Sequence, residues 1–167
     1  GLGDVYKRQI KSYARSSRLK LDFDFVCFGG GKFLKIEEEL FKNLSINRDR
    51  IHHYEGDDQD LNYFYSNARI FIFPSLYEGF GMPLLEAMNM QCPIICSNTS
   101  SFPEIVNDSA ILFNPTDIEM LTFKIEKLIY DDQFLLDLKK KGNRNLNNYS
   151  WNKCANVTER LYKKLII

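Results

Sequence analysis

From residue 10 onward, the apolar positions of the chain switch between two spacings. Short unbroken apolar runs bounded by Gly, Pro, Asn or Ser read as strands, and apolar residues three and four apart read as helices. The strand-like runs are Phe23 to Phe28, Ile51 to Tyr54, Ile70 to Phe73, Pro93 to Cys96 and Ala110 to Phe113. Between them lie helical patterns. Residues 10–19 read as the end of one helix. Phe33, Ile36, Leu40 and Leu44 mark one face of the next, and Leu61, Phe64 and Tyr65 mark a face within 60–68. Pro83 to Met90 follows, with Pro near its first position. Ser101-Phe102-Pro103-Glu104 and Thr116-Asp117-Ile118-Glu119 read as capping boxes. The second opens a helix with Ile118, Leu121, Ile125, Leu128 and Ile129 on one face. Asp132 opens another, ending near Gly142, and Ser150 caps the last. There Trp151, Cys154, Ala155, Thr158, Leu161, Tyr162 and Leu165 form a stripe that reads as a docking face.

Strands separated by helices predict an α/β fold, a parallel sheet with helices on both faces, closed by C-terminal helices. Ligands of such sheets sit at the carboxyl ends of the strands, so the loops after the strands are where chemistry is expected. The first nine residues fit neither spacing. Asp4 to Gln9 resembles the translation of a transposon-end sequencing adapter, and the chain does not begin with Met. Residues 1–9 are therefore expected to be a non-native leader, and 10–167 a single domain.

Composition narrows the class. The 44% hydrophobic and 26% charged content is that of a globular domain. Lys plus Arg equals Asp plus Glu at 22 each, so a broad nucleic-acid-binding face is not expected. No apolar run approaches the ~20 residues of a membrane span. Cys27, Cys92, Cys96 and Cys154 show no zinc-ligand spacing, and read as structural thiols in a cytoplasmic chain. Asp57, Asp58 and Asp60 read as an acidic turn capping the next helix, and no metal is expected. His52 and His53, adjacent on a strand, point to opposite faces. The Lys139-Lys140-Lys141 run reads as a solvated helix face.

The loop after Phe73 is the most informative segment. A buried strand runs through Glu78-Gly79-Phe80-Gly81-Met82-Pro83-Leu84 into a helix. Free N–H groups at such a helix start, aided by the helix dipole, form an anion site. Gly79 and Gly81 let a ligand approach the backbone. Glu78 and Glu86 flank the site. Carboxylates beside an anion site are tolerated when they accept hydrogen bonds from hydroxyls, which points to an anionic, polyhydroxylated ligand such as a sugar nucleotide. The alternative makes Glu86 a helix-dipole partner and Glu78 a solvated loop residue.

The run from Glu78 to Met88 resembles the signature of the retaining GT-B glycosyltransferases of family 4 (glycosyl transferases group 1). The likeness extends through Phe28 to Gly31, Tyr65 to Ala68, Cys96 to Ser101, Pro103-Glu104, Phe113 to Pro115 and Ser150-Trp151. It implies a Rossmann-like, donor-binding C-terminal half of a GT-B fold. It also implies hexosyl transfer, provisionally mannosyl, from a GDP- or UDP-sugar to a hydroxyl with retention, in surface polysaccharide or glycoconjugate synthesis. Glu78 would bond the transferred sugar. Gly79, Phe80, Gly81, Met82, Pro83 and Leu84 would hold sugar and diphosphate, and Glu86 the ribose. Gly29, Gly30, Gly31, His53 and Tyr54 would lie near the nucleotide. The nucleotide sugar is a substrate, and neither a cofactor nor a metal is implied. The family's cationic diphosphate pair, first strand and N-terminal acceptor domain would precede Ile10, and the last helix would pack on that domain. The fragment alone is thus expected to be inactive. Peripheral association of the whole enzyme with the inner face of the cell membrane is left open. Rival readings are a GT-B nucleotide-sugar epimerase and a non-catalytic nucleotide-binding module. A dinucleotide oxidoreductase fits less well, because Gly29-Gly30-Gly31-Lys32 lacks the G-x-G-x-x-G spacing.

Overall fold

The computed structural model describes residues 2–165, with side chains from residue 6. Helices α1 (Leu2–Arg15) and α2 (Ser17–Asp22) lead into strand β1 (Phe25–Phe28). Helix α3 (Lys35–Asn43), a 3₁₀ turn (Arg48–Arg50) and β2 (Ile51–Tyr54) follow, then α4 (Asp58–Asn67) and β3 (Phe71–Phe73). Next come α5 (Met82–Asn89), β4 (Ile94–Ser97), α6 (Phe102–Val106) and β5 (Ala110–Phe113). Helices α7 (Ile118–Ile129), α8 (Asp132–Leu146) and α9 (Trp151–Leu165) close the chain.

All pairings are parallel, as the α/β expectation requires, and helices flank the strands. The strands form two hydrogen-bonded sheets rather than one: β1-β2 and β3-β4-β5. Helix α1 packs against both. Its Tyr6 and Tyr13 rings meet Phe25 of β1, at 6.4 and 5.6 Å between centroids. Its Gln9 amide donates to the Ile72 carbonyl of β3 at 2.5 Å. A side chain thus serves an edge acceptor that a neighbouring strand would otherwise take.

The three-stranded sheet separates two cores. All four residues of β4 are buried. Ile95 joins Ile10, Leu121, Ile125 and Leu128 on one face. Ile94 and Cys96 join Leu84, Met88 and Phe102 on the other. Each fully buried Leu, Ile or Phe contributes about 1.5–3 kcal/mol, so this strand fixes where its own carboxyl end and that of β3 lie. That end carries the loops into α5 and α6.

The structure corrects several sequence-based expectations. Residues 2–9 are helical, as part of α1, rather than patternless. The buried or half-buried positions Tyr6, Ile10 and Tyr13 repeat at helical spacing across the boundary drawn at residue 10. On α3 the buried residue is Phe41, while Ile36 is 63% exposed. Thr116 does not cap α7; Asp117 does, accepting from Met120 N–H at 2.8 Å. Helix α8 runs through Gly142 to Leu146. Gly142 is there for close approach, since a Cβ would lie 3.3 Å from Met88 Cγ of α5. The acidic turn does cap α4: Asp57 accepts from Gln59 and Asp60 N–H, and Asp60 returns a bond to Asp57 N–H. Every described residue of α9 is exposed, including Trp151 at 78%.

Candidate functional site

Strand β3 delivers the chain into the Pro74–Gly81 loop at the carboxyl end of the sheet, and Gly81 starts α5. Gly81 has φ +113 and ψ 48, a backbone that an L side chain rarely adopts. A Cβ there would stand 3.0 Å from the Phe102 ring and 3.2 Å from Leu84. Glycine therefore permits both the turn and the packing of α5 on α6. The residue makes no side-chain cap, and Pro83 follows at the helix start. The backbone N–H groups of Gly79, Phe80, Gly81 and Met82 find no protein acceptor among the described residues. Gly79, Phe80 and Met82 are exposed. An anion placed here would meet unpaired donors and the positive end of the helix dipole.

Two half-buried carboxylates flank these donors. Glu78 Oε1 accepts from the Ser75 hydroxyl at 3.0 Å, and Ser75 is 4% exposed. Glu86 lies in α5 beside Tyr65 of α4. Burial first, and then the Glu86 charge, keep the Tyr65 hydroxyl protonated far above its ordinary range. The protonated phenol is a neutral neighbour for the Glu86 carboxylate.

The β4–α6 loop closes over the same segment. Thr99 Oγ1 donates to Leu76 O at 3.1 Å, Ser100 Oγ to Glu78 O at 2.5 Å, and Ser101 Oγ to Phe80 O at 2.5 Å. Ser101 stands at the N-cap position of α6 but makes no cap bond. Its expected capping role is corrected: its hydroxyl is committed to the Pro74–Gly81 loop instead.

The Gly29–Gly31 turn and β2 form a second cluster, at the carboxyl ends of β1 and β2. The three glycines have φ of +78, +78 and +80. Gly29 N–H donates to Tyr54 O at 2.9 Å, and His53 Nε2 donates to Gly29 O at 2.9 Å. His53 packs on Phe33, whereas His52 contacts Asp24 at 3.3 Å and stacks on Tyr54, so the pair does face opposite ways. An open recess of about 500 Å³ is lined by Lys32, Phe33, Arg48, His53 and Tyr54, among others. None of residues 78–86 lines it. Helix α4 contacts both clusters: Phe64 packs on Phe28 and Tyr54, while Tyr65 belongs to the core around α5.

The predicted residues therefore fall into two groups. Glu78 to Leu84 and Glu86 are one unit, and Gly29–Gly31 with His53 and Tyr54 are another. Pro83 and Leu84 serve chiefly as framework, since Leu84 is fully buried and Pro83 has no N–H to offer. Sequence reasoning missed Ser75, Tyr65 and the Thr99-Ser100-Ser101 hydroxyls. The one available signal was a run of hydroxyl residues just past the carboxyl end of a buried strand.

The chain is 39% identical over 108 residues to the O-antigen chain mannosyltransferase B of Escherichia coli, covering 65% of this chain and 28% of that protein. It is 34% identical over 134 residues to the MMP alpha-(1->4)-mannosyltransferase of Mycolicibacterium hassiacum, covering 77% and 32%. The chain thus spans about a third or less of the length of these relatives. Among solved structures, sucrose-phosphate synthase from Thermosynechococcus elongatus superposes with a TM-score of 0.84 at 22% identity, over 98% of this chain and 42% of that one. This likeness is one of fold. The family model described as Glycosyl transferases group 1 matches residues 5–145, which takes in both clusters, and the chain belongs to that family.

Proposed function

We propose that this chain binds the donor of a retaining hexosyltransferase, a nucleoside-diphosphate sugar, and that the donor is GDP-mannose. The observation that carries the reading is the run of unpaired N–H groups from Gly79 to Met82 between two carboxylates. Mannose as the sugar is supported by the two mannosyltransferase relatives. Synthesis of a surface polysaccharide is supported by the first of them.

In this reading the diphosphate lies against the N–H groups of residues 79–82. Glu78, fixed through Ser75, accepts hydrogen bonds from the sugar hydroxyls, and Glu86, beside Tyr65, accepts from the ribose. The Gly29–Gly31 turn, His53 and Tyr54 flank the nucleotide. Transfer breaks the bond between the anomeric carbon and the diphosphate oxygen and joins that carbon to an acceptor hydroxyl oxygen, whose proton passes to the departing diphosphate. Negative charge grows on the leaving diphosphate, and oriented peptide dipoles stabilise it without reorganising. Positioning of the donor supplies the rest. The acceptor, and the groups that bind it, belong to the whole protein.

Thermal shifts of the chain with UDP, GDP, ADP and NAD test this reading, with and without EDTA. Selective stabilisation by GDP is expected, unchanged by EDTA and lost in Glu86→Ala. Equal stabilisation by UDP refutes the base assignment. Unaltered GDP binding by Glu86→Ala refutes the ribose role.

A further inference from the structure

The hydroxyls of Ser100 and Ser101 lie outside the residues assigned to the donor, yet both are spent on one loop. Ser100 is used twice. It accepts from Glu78 N–H at 3.3 Å and donates to Glu78 O at 2.5 Å. Ser101 donates to Phe80 O at 2.5 Å and approaches Glu78 O at 3.3 Å. Further along, Gly81 O is taken by Leu84 N–H at 2.9 Å. Three of the four carbonyls from Glu78 to Gly81 are thus captured, Gly79 O being the exception, whereas the N–H groups from Gly79 to Met82 have no acceptor among the described residues.

The planar trans peptide makes these two facts one. The carbonyl of a residue and the N–H of the next point in opposite directions. Holding Glu78 O on Ser100 turns the Gly79 N–H away from the β4–α6 loop. Holding Phe80 O on Ser101 does the same for Gly81 N–H. Released peptides could rotate and present a carbonyl, whose negative end repels a phosphate. Ser100 is also one of the few non-glycine residues with positive φ, at +57. Such a conformation is strained for an L side chain and persists where surrounding contacts enforce it. The paired bonds to Glu78 are those contacts.

We propose that Ser100 and Ser101 are positioning residues that preset the donor loop for the diphosphate by capturing its carbonyls. This rests on the nucleoside-diphosphate reading of the site. A lost N–H bond to a charged phosphate lowers affinity about tenfold or more.

The test compares GDP with guanosine, which has no phosphate. GDP affinity is measured by calorimetry. Guanosine affinity is measured by titrating the His53 and Tyr54 amide resonances. Ser100→Ala and Ser101→Ala are each expected to weaken GDP at least tenfold and guanosine less than twofold. Ser101→Thr, which restores a hydroxyl at a residue with ordinary φ of −75, is expected to recover GDP binding. Glu86→Ala is expected to weaken both ligands alike. An unchanged GDP-to-guanosine ratio in both alanine variants overturns the positioning role and leaves the donor reading standing. A wild-type chain that binds neither ligand overturns the donor reading, and the positioning role falls with it. Urea midpoints check folding, and if Ser100→Ala unfolds, Ser101→Ala makes the same comparison.

Discussion

Replacing Gly81 by alanine should be the most costly single-methyl change in the loop between β3 and α5. Its φ of +113 imposes strain of order 1–3 kcal/mol on any L side chain. The new Cβ would also sit 3.0 Å from Cε1 and 3.2 Å from Cδ1 of Phe102, and 3.2 Å from Leu84 Cδ1. Neither neighbour can yield easily. Phe102 and Leu84 are fully buried, and the Phe102 ring packs on Phe73 at 5.3 Å. Overpacking of this kind costs about 1–3 kcal/mol. The combined loss, about 2–6 kcal/mol, is a large share of the ~5–15 kcal/mol by which a domain is stable. With a urea slope of about 2–3 kcal/mol per molar, the midpoint should fall by about 0.7–3 M. Gly79→Ala is the internal control. Its Cβ would meet nothing within 4 Å, and its φ lies outside the positive range, so its midpoint should stay within about 0.3 M of wild type. Urea unfolding followed by circular dichroism measures both. Equal midpoints for the two variants would refute the argument that Gly81 is required by backbone conformation and by Phe102.

Burial pushes the Cys92 and Cys96 thiols up to about 12. At pH 8 a thiol reagent should therefore label exposed Cys154 rapidly and these two only on unfolding. Because the folded chain keeps protons that the unfolded chain gives up near pH 9, stability is intact below that pH and declines between 9 and 12. The slope approaches about 3 kcal/mol per pH unit for the two groups together, and alkaline urea midpoints that stay level would contradict it. Removal of residues 151–167 should leave the unfolding midpoint of the remainder nearly unchanged, since the described residues of α9 bury nothing. The same deletion should lower hydrophobic-dye binding, given the exposure of Trp151, Leu161, Tyr162 and Leu165; a large loss of stability would show that α9 packs on the domain.

Much of the architecture was legible locally. Five apolar runs became five parallel strands, because an unbroken run such as Ile94 to Cys96 is stable only where both faces are covered. The Glu78 to Leu84 loop was legible for a similar reason. Glycine at a helix start, with carboxylates at either end, states its backbone requirement in residue types alone. Where the sequence misled, one residue had two local uses. Ser101 has the residue type of an N-cap but bonds to Phe80 O, and Gly142 looks like a helix stop but makes room for Met88.

By itself, then, the sequence determined most of the element order, the glycine turn at Gly79 to Met82 and the carboxylates Glu78 and Glu86 that flank it, since periodicity and backbone freedom act within a few residues. Only the tertiary structure decided the rest. It split the strands into two sheets with α1 against both, and it set α4 against Tyr54 on one side and the core around α5 on the other. It also set Tyr65 beside Glu86, and Ser100 and Ser101 on the carbonyls of a loop more than twenty residues earlier. Those pairings join segments distant in sequence. A hydroxyl or a phenol carries no mark of its partner until the sheet brings the carboxyl ends of β3 and β4 side by side.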